Sequence, residues 1–205
     1  MKNQTVLVVP TGTANMASVL AGLERAGANA RVTADPGEVL SGDRLVLPGV
    51  GALGAAISRL SQDGLVEALT ARLREGRPTL AVCLGLQILC ESSAESPGVQ
   101  GLGILAGRTE KFPQSVRVPQ IGWNRVEGEN GCRLIESGYA YFANSYRLID
   151  PPAGWNAAFS DHGGRFVAAL ERGLVLACQF HPELSGQWGL ALIRRWLEQT
   201  GGGPC

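Results

Sequence analysis

Nucleophilic chemistry has few places to sit in this chain. It holds only two histidines, His162 and His181, and five cysteines, at positions 83, 90, 132, 178 and 205. One cysteine lies in a telling context. Ala81-Val82-Cys83-Leu84-Gly85 reads as a β-strand that runs into a cysteine and then directly into a helix. Small residues two places before and after the cysteine let a strained turn fit and lift its side chain above the sheet, the logic of a nucleophile elbow. The unpaired N–H groups and dipole of the helix start favour a thiolate and can bind a developing oxyanion. A buried structural cysteine on a core strand would leave the same local pattern.

A second segment supplies a base. In Gln179-Phe180-His181-Pro182-Glu183, proline biases the residue before it away from helix. Residues two apart in an extended segment share a face, so His181 and Glu183 can point the same way. A carboxylate beside an imidazole fixes its tautomer and stabilises its protonated form. Taken alone, a surface turn explains these residues equally well; with an elbow cysteine in the same chain, a Cys83-His181-Glu183 arrangement is favoured. His162, in the turn Asp161-His162-Gly163-Gly164, is expected to be solvated. A third segment, Leu47-Pro48-Gly49-Val50-Gly51, follows a strand. Its glycines allow backbone N–H groups to turn toward a ligand, and a donor here, with the N–H of Leu84, could complete an oxyanion hole. Pro-Gly turns also occur with no such role.

These segments need a scaffold. The first half alternates short β-rich runs (Thr5–Val9, Ala30–Thr33, Arg44–Leu47, Thr79–Val82) with helical stretches at Asn15–Ala26, at about Ala55–Glu75 with a break near Gly64, and from Cys83 to about Glu91. Asp35-Pro36-Gly37 reads as a turn. Continuous apolar strands alternating with helices imply a parallel sheet covered on both faces. After Pro97 the rhythm changes to runs at Gly103–Leu105, Val116–Ile121, Tyr139–Ala143, Asn156–Ser160, Arg165–Leu170 and Val175–Cys178, which suggest hairpins. Leu190–Leu197 closes the chain as a helix. The expected fold is α/β: a mostly parallel, flavodoxin-like central sheet flanked by helices, with an antiparallel β extension in the C-terminal half. One domain is expected over 1–200, with a flexible tail at 201–205.

Composition narrows the class. Glycine supplies 28 of 205 residues, about twice its usual share, and with 45% apolar residues that excess must serve turns and close approaches inside a folded domain. Eighteen basic residues balance eighteen acidic ones, so no surplus charge draws the chain to nucleic acid or anionic lipid. An odd set of cysteines with no CxxC pair fits reduced cytosolic thiols, with no disulfide framework and no metal site. Met1–Thr5 leads into only four apolar residues before Pro10, which is no signal-peptide core, and the longest apolar run is too short to span a bilayer. A soluble cytoplasmic protein is expected.

These three segments, in this order, closely resemble the class I glutamine amidotransferases over nearly the whole chain, and among them the glutaminase subunits of imidazole glycerol phosphate synthase. Cys-Leu-Gly-Leu-Gln at 83–87 resembles the family's nucleophile motif, and His181-Pro182-Glu183 its remaining triad residues. The narrower likeness rests on Pro-Gly-Val-Gly at 48–51, Ile-Gly-Trp-Asn at 121–124, Thr-Gly-Thr-Ala-Asn at 11–15, Ser96-Pro97-Gly98-Val99 with Gly101-Leu102-Gly103, and Tyr141-Phe142 with Ser145-Tyr146. The resemblance implies that Cys83 attacks the glutamine side-chain amide, His181 moves the proton and Glu183 holds the imidazole. It implies an oxyanion hole at Val50, Gly51 and Leu84, and glutamine binding by Gly49, Gln87, Glu95, Ser145 and Tyr146. It implies a heterodimer with a (β/α)8-barrel cyclase that receives the ammonia and converts a phosphoribulosyl-formimino carboxamide ribotide in histidine biosynthesis, with Thr11, Asn15, Gln120, Trp123 and Asn144 at the interface. No cofactor is implied.

Four places depart from the family pattern: Ala81 in the elbow where glycine is usual, Leu184 where a basic residue is common, Gln120 and Asn144 where many relatives carry histidine, and Pro10 in place of an acidic residue. An amide can hydrogen-bond but cannot titrate near neutral pH, so these changes weaken the inference about coupling and leave that about catalysis intact. The alternatives are a subunit feeding ammonia to another synthase, such as one for sugar amination, and a degenerate scaffold that binds the cyclase without hydrolysing glutamine. A different elbow-cysteine hydrolase would lack the His-Pro-Glu spacing.

Overall fold

The computed structural model describes residues 4–12, 14–129 and 131–200; the tail expected at 201–205 and Cys205 lie outside them. The first half runs β1 (Gln4–Val8), α1 (Met16–Ala26), β2 (Ala28–Val32), α2 (Pro36–Ser41), β3 (Leu45–Gly49), α3 (Leu53–Gln62), α4 (Leu65–Arg74), β4 (Thr79–Cys83) and α5 (Leu84–Leu89). The second half runs β5 (Cys90–Ser93), β6 (Leu105–Lys111), β7 (Gln120–Gly128), β8 (Gly138–Asn144), β9 (Tyr146–Arg147), β10 (Asn156–Asp161), β11 (Arg165–Arg172), β12 (Val175–Cys178), a 3₁₀ turn (Pro182–Leu184) and α6 (Gly186–Gln199).

Nine strands form one sheet in the order β2-β1-β3-β4-β12-β11-β10-β7-β8, and β5-β6-β9 form a small second one. The neighbours from β2 to β12 pair in parallel, and those from β12 to β8 pair antiparallel. The antiparallel extension therefore continues the main sheet. Strands β3, β4 and β12 are buried along their length, because helices cover both faces: α3, α4 and α5 on one, α1 and α6 on the other. Asn15 caps α1 by accepting from Ser18 N, and Gly27 ends that helix at φ 99°, a left-handed conformation that glycine adopts without penalty.

Several boundaries differ from expectation for local reasons. Asp35-Pro36-Gly37 opens helix α2, its Asp35 side chain accepting from Glu38 N; Asp before Pro is a helix start as readily as a turn. The helix after Cys83 ends at Leu89, and Cys90–Ser93 pairs with β6 instead. The strands expected at Gly103–Leu105 and Val116–Ile121 lie further on, at Leu105–Lys111 and Gln120–Gly128. Both carry charged residues on their outward faces, which masked their period.

A buried arginine holds the start of the fold. Arg72 on α4 has no exposed surface. Its Nη1 donates to Gly42 O at 2.6 Å and Val39 O at 3.1 Å, its Nη2 to Pro78 O at 2.6 Å, and its Nε to Thr79 Oγ1 at 3.1 Å. The carbonyls left open at the end of α2 are thus tied to the entry of β4, though burial pulls the guanidinium down to about 10. Each acceptor left unpaired in a buried place costs about 1–3 kcal/mol. Arg72→Ala should therefore lower stability by about 3 kcal/mol or more, read as a lower urea midpoint at unchanged slope.

Candidate active site

The parallel register brings three chain segments to one edge of the sheet. Gly49 of β3 lies beside Cys83 of β4, and Val82 beside Cys178 of β12. The residues that follow these strand ends are Val50-Gly51, Leu84 and Gln179–His181, so the three segments separated in sequence converge there. This is the crevice at the carboxyl ends of the strands where open α/β sheets bind ligands.

Cys83 has φ 56° and ψ −108°, the only positive φ outside glycine among the described residues. A non-glycine residue held there stores roughly 1–3 kcal/mol of strain. The elbow closes because Gly85 lacks a side chain: a Cβ there would stand 2.0 Å from Leu47 O. The same Cβ would stand 3.5 Å from the Ala81 methyl, so alanine at 81 fits where the family usually has glycine.

Among the described cysteines Cys83 alone faces a cavity with a base beside it. Burial pushes the Cys90 thiol up to about 12 and the Cys132 thiol up to about 11, and it raises Cys178 as well. Thiols held protonated are poor nucleophiles.

The Cys83 side chain lies beside the His181 ring, whose Nδ1 lies 2.9 Å from Glu183 Oε1, leaving Nε2 to face the sulfur. Burial pulls the imidazolium down, but hydrogen bonds and charge attraction from Cys83 and Glu183 outweigh it and hold the ring up at about 10. These partners favour the protonated ring, with Nδ1–H given to the carboxylate. Two features fix it in place. His181 N donates to Tyr141 O at 2.9 Å, and Ser185 Oγ donates to His181 O at 2.6 Å while accepting from Tyr141 N at 2.9 Å. Helix α1 backs the carboxylate, since a Cβ on Gly22 would stand 2.6 Å from Glu183 Cβ.

A cavity of about 140 Å³ opens beside the sulfur, lined by Val50, Gly51, Cys83, Leu84, Gln87, Glu95, Ala143, Asn144, Ser145 and Tyr146. It is smaller than the roughly 300–1,000 Å³ of pockets for drug-sized ligands, which limits its occupant to a small molecule. Gly49 instead lines an adjoining cavity of about 160 Å³ with His181 and Glu183. Glu95 is partly buried and its Oε2 accepts from Leu53 N at 3.3 Å, so the loop before Pro97 caps helix α3. Gln87 Nε2 donates to Gln179 Oε1 at 3.0 Å, and Gln179 Nε2 reaches Cys83 Sγ at 3.8 Å.

The expected interface residues divide. Trp123 and Asn15 are exposed. Thr11 is fully buried and donates to Pro48 O at 2.9 Å, so it supports the loop from inside. Gln120 and Asn144 are buried opposite each other on β7 and β8. His162 is half-buried rather than solvated. Its Nε2 lies 2.8 Å from Arg117 O and its ring stands edge-on to Phe112 at 5.0 Å; a carbonyl only accepts, so Nε2 carries the hydrogen. Ser185, Gly22 and Gln179 had no role from sequence. The Gln179-Phe180-His181-Pro182-Glu183 run contained one of them in plain view, but only the sheet brings its amide to the sulfur. Among the described residues no three metal-ligating side chains converge, and no helix is long and apolar enough to cross a membrane.

Comparison with known proteins bears on this geometry. Residues 18–199 match the family model of class-I glutamine amidotransferases. The chain is 39% identical to the imidazole glycerol phosphate synthase subunit HisH of Methanothermobacter thermautotrophicus over 196 residues, covering 94% of this chain and 98% of that one. It is 37% identical over 202 residues to the chloroplastic imidazole glycerol phosphate synthase hisHF of Arabidopsis thaliana, covering 95% of this chain and 34% of that one. A crystal structure of a glutamine amidotransferase superposes with a TM-score of 0.77 at 22% identity, covering 96% of this chain and 99% of that one.

The imidazole and its carboxylate give two expected outcomes. Gly22→Ala should push Glu183 aside and bring the His181 titration, followed by NMR, down from about 10 by about a unit, or 1.4 kcal/mol of lost partner interaction. A ring whose folded value lies above its ordinary 6.5 stabilises the fold fully below 6.5, and that contribution is lost as pH rises through 10. Melting temperature should therefore fall between those limits, and fall less in His181→Gln.

Proposed function

The chain belongs to the class I glutamine amidotransferases and, within them, to the HisH subunits of imidazole glycerol phosphate synthase, and from that premise we propose how its site works. The protein is the glutaminase subunit: it hydrolyses glutamine and hands ammonia to a synthase partner. The single observation that carries the assignment of residues is the line Cys83–His181–Glu183, with Cys83 at the wall of a cavity sized for an amino acid and His181 and Glu183 lining the cavity that adjoins it.

Cys83 sulfur attacks the carboxamide carbon of glutamine, and the developing oxyanion sits toward the N–H of Leu84 and the Val50-Gly51 backbone. His181 gives its proton to the departing nitrogen, the C–N bond breaks, and ammonia leaves a γ-glutamyl thioester on Cys83. Neutral His181 then takes a proton from water, whose oxygen cleaves the thioester and releases glutamate. Glu183 holds the ring in register throughout. Gln87, Glu95, Ser145 and Tyr146 surround the amino-acid end of the substrate, Glu95 supplying the carboxylate that an α-ammonium group needs.

HisH subunits work with a partner subunit, here a (β/α)8-barrel cyclase of histidine biosynthesis. Support comes from the outer face around the site. Ile121, Trp123, Tyr139 and Leu184 are 66, 58, 59 and 40% exposed, and Ala143, on the same strand pair, lines both cavities. Large apolar side chains gathered on one face mark a docking surface. Trp123 lies against Gly186, just beyond Leu184, so contact at position 184 is apolar where relatives commonly carry a basic residue.

Cys83→Ala, co-purified with the cyclase, should lose glutamine-dependent synthesis by about 10³-fold or more while synthesis from added ammonium persists. Glutamate release that survives in the variant would remove Cys83 from the mechanism.

A further inference from the structure

Gln179 is completely buried, yet its carboxamide has a partner at each end. Nε2 stands 3.8 Å from Cys83 Sγ, and Oε1 accepts from Gln87 Nε2 at 3.0 Å. Gln87 Nε2 also donates to the main-chain carbonyl of Tyr146 at 3.4 Å. The two ends of an amide look alike in most structures, and the hydrogen-bond network assigns them. Here one carbonyl settles the whole chain. Tyr146 O can only accept, so Gln87 must present its nitrogen. That nitrogen can only donate, so Gln179 must present its oxygen. The remaining end of Gln179, an N–H group, faces the sulfur. Asn144 Nδ2 donates to the same Tyr146 oxygen at 3.0 Å, which holds the start of the relay in position.

We propose that Gln179 is a hydrogen-bond donor to the Cys83 sulfur, aiming it at the substrate and stabilising its negative charge, with its polarity set through Gln87 by the Tyr146 carbonyl. This rests on the glutaminase reading of the site. His181 holds the sulfur from one direction only, and a side chain with one partner can still swing about its Cα–Cβ bond. A second donor, two residues before His181 on the same strand end, fixes the angle of attack, which is where orientation contributes to rate. Gln87 lines the substrate cavity, so the far end of the relay is open to the bound amino acid.

The test uses the full chain with its cyclase partner and two variants. Gln179→Leu removes both ends of the amide and leaves no hydrogen for the sulfur. Gln179→Met keeps the length and adds no charge. In both, kcat for glutamate release should fall about 10- to 100-fold, as expected for a lost hydrogen bond to a charged group, while KM stays within about threefold. Independently of turnover, alkylation of Cys83 by iodoacetamide should be followed across pH from the mass of its peptide. Its midpoint should move up by about one pH unit in Gln179→Met, one unit being the tenfold effect of a lost donor. The titratable groups facing the sulfur, His181 with Glu183 behind it and Glu95 and Tyr146 across the cavity, are the same in that variant.

Unchanged kcat overturns the proposal. So does a loss of kcat that follows a lowered melting temperature while the alkylation profile stays put, because packing alone would do that. If the parent complex releases no glutamate but the alkylation midpoint still shifts, the glutaminase reading fails and the contact of Gln179 with sulfur stands.

Discussion

The strained turn at Cys83 is the constraint on which the rest of the site depends. A strand can pass into a helix with its junction residue at φ 56° only if the first turn of that helix lies against the neighbouring strand without a side chain between them. Gly85, under the Leu47 carbonyl, meets that condition. Because β3, β4 and β12 run parallel and in register, the same turn fixes where the Val50-Gly51 loop and the His181 loop must end. The strain of about 1–3 kcal/mol is held by strands buried on both faces.

The antiparallel half of the sheet does more than extend the core. Strand β8 holds the backbone of His181 through Tyr141, and Ser185 closes that junction. The next residue outward on the same face, Ala143, separates the substrate cavity from the one behind the imidazole. The outer side of β7 and β8 carries the exposed Ile121, Trp123 and Tyr139. A single pair of strands therefore touches His181, the cavity beside Cys83 and an exposed apolar face.

Charge is handled sparingly in the interior. Arg72 is buried against carbonyl oxygens, and the His181–Glu183 pair lies with its side chains almost wholly covered. A buried charge is tolerable only when fully hydrogen-bonded. Arg72 meets that condition with backbone carbonyls, whereas His181 meets it with a carboxylate on one side and the Cys83 side chain on the other.

Local pattern marked the candidate nucleophile and its candidate base, and the two segments read together favoured them. A strand, a cysteine between small residues and an immediate helix can fold in few ways, and His-Pro-Glu in an extended segment can face in few directions, so Cys83, His181 and Glu183 were legible. With only two histidines, the choice of base was narrow from the start. The alternation of apolar strands and helices likewise disclosed the parallel half of the sheet. Tertiary structure alone decided what lies across strands. Gly22 is an ordinary helix residue until Glu183 packs on it, Thr11 is a loop residue until it bonds Pro48 O, and Gln179 is one more buried amide until β12 lies beside β4. Contacts between residues this far apart in the chain, from 37 positions for Thr11 to Pro48 upward, follow from register and strand order, and a single chain carries no local mark of either. The boundaries of β6 and β7 were lost for a related reason: strands with one solvated face carry charges whose alternation only the sheet makes plain.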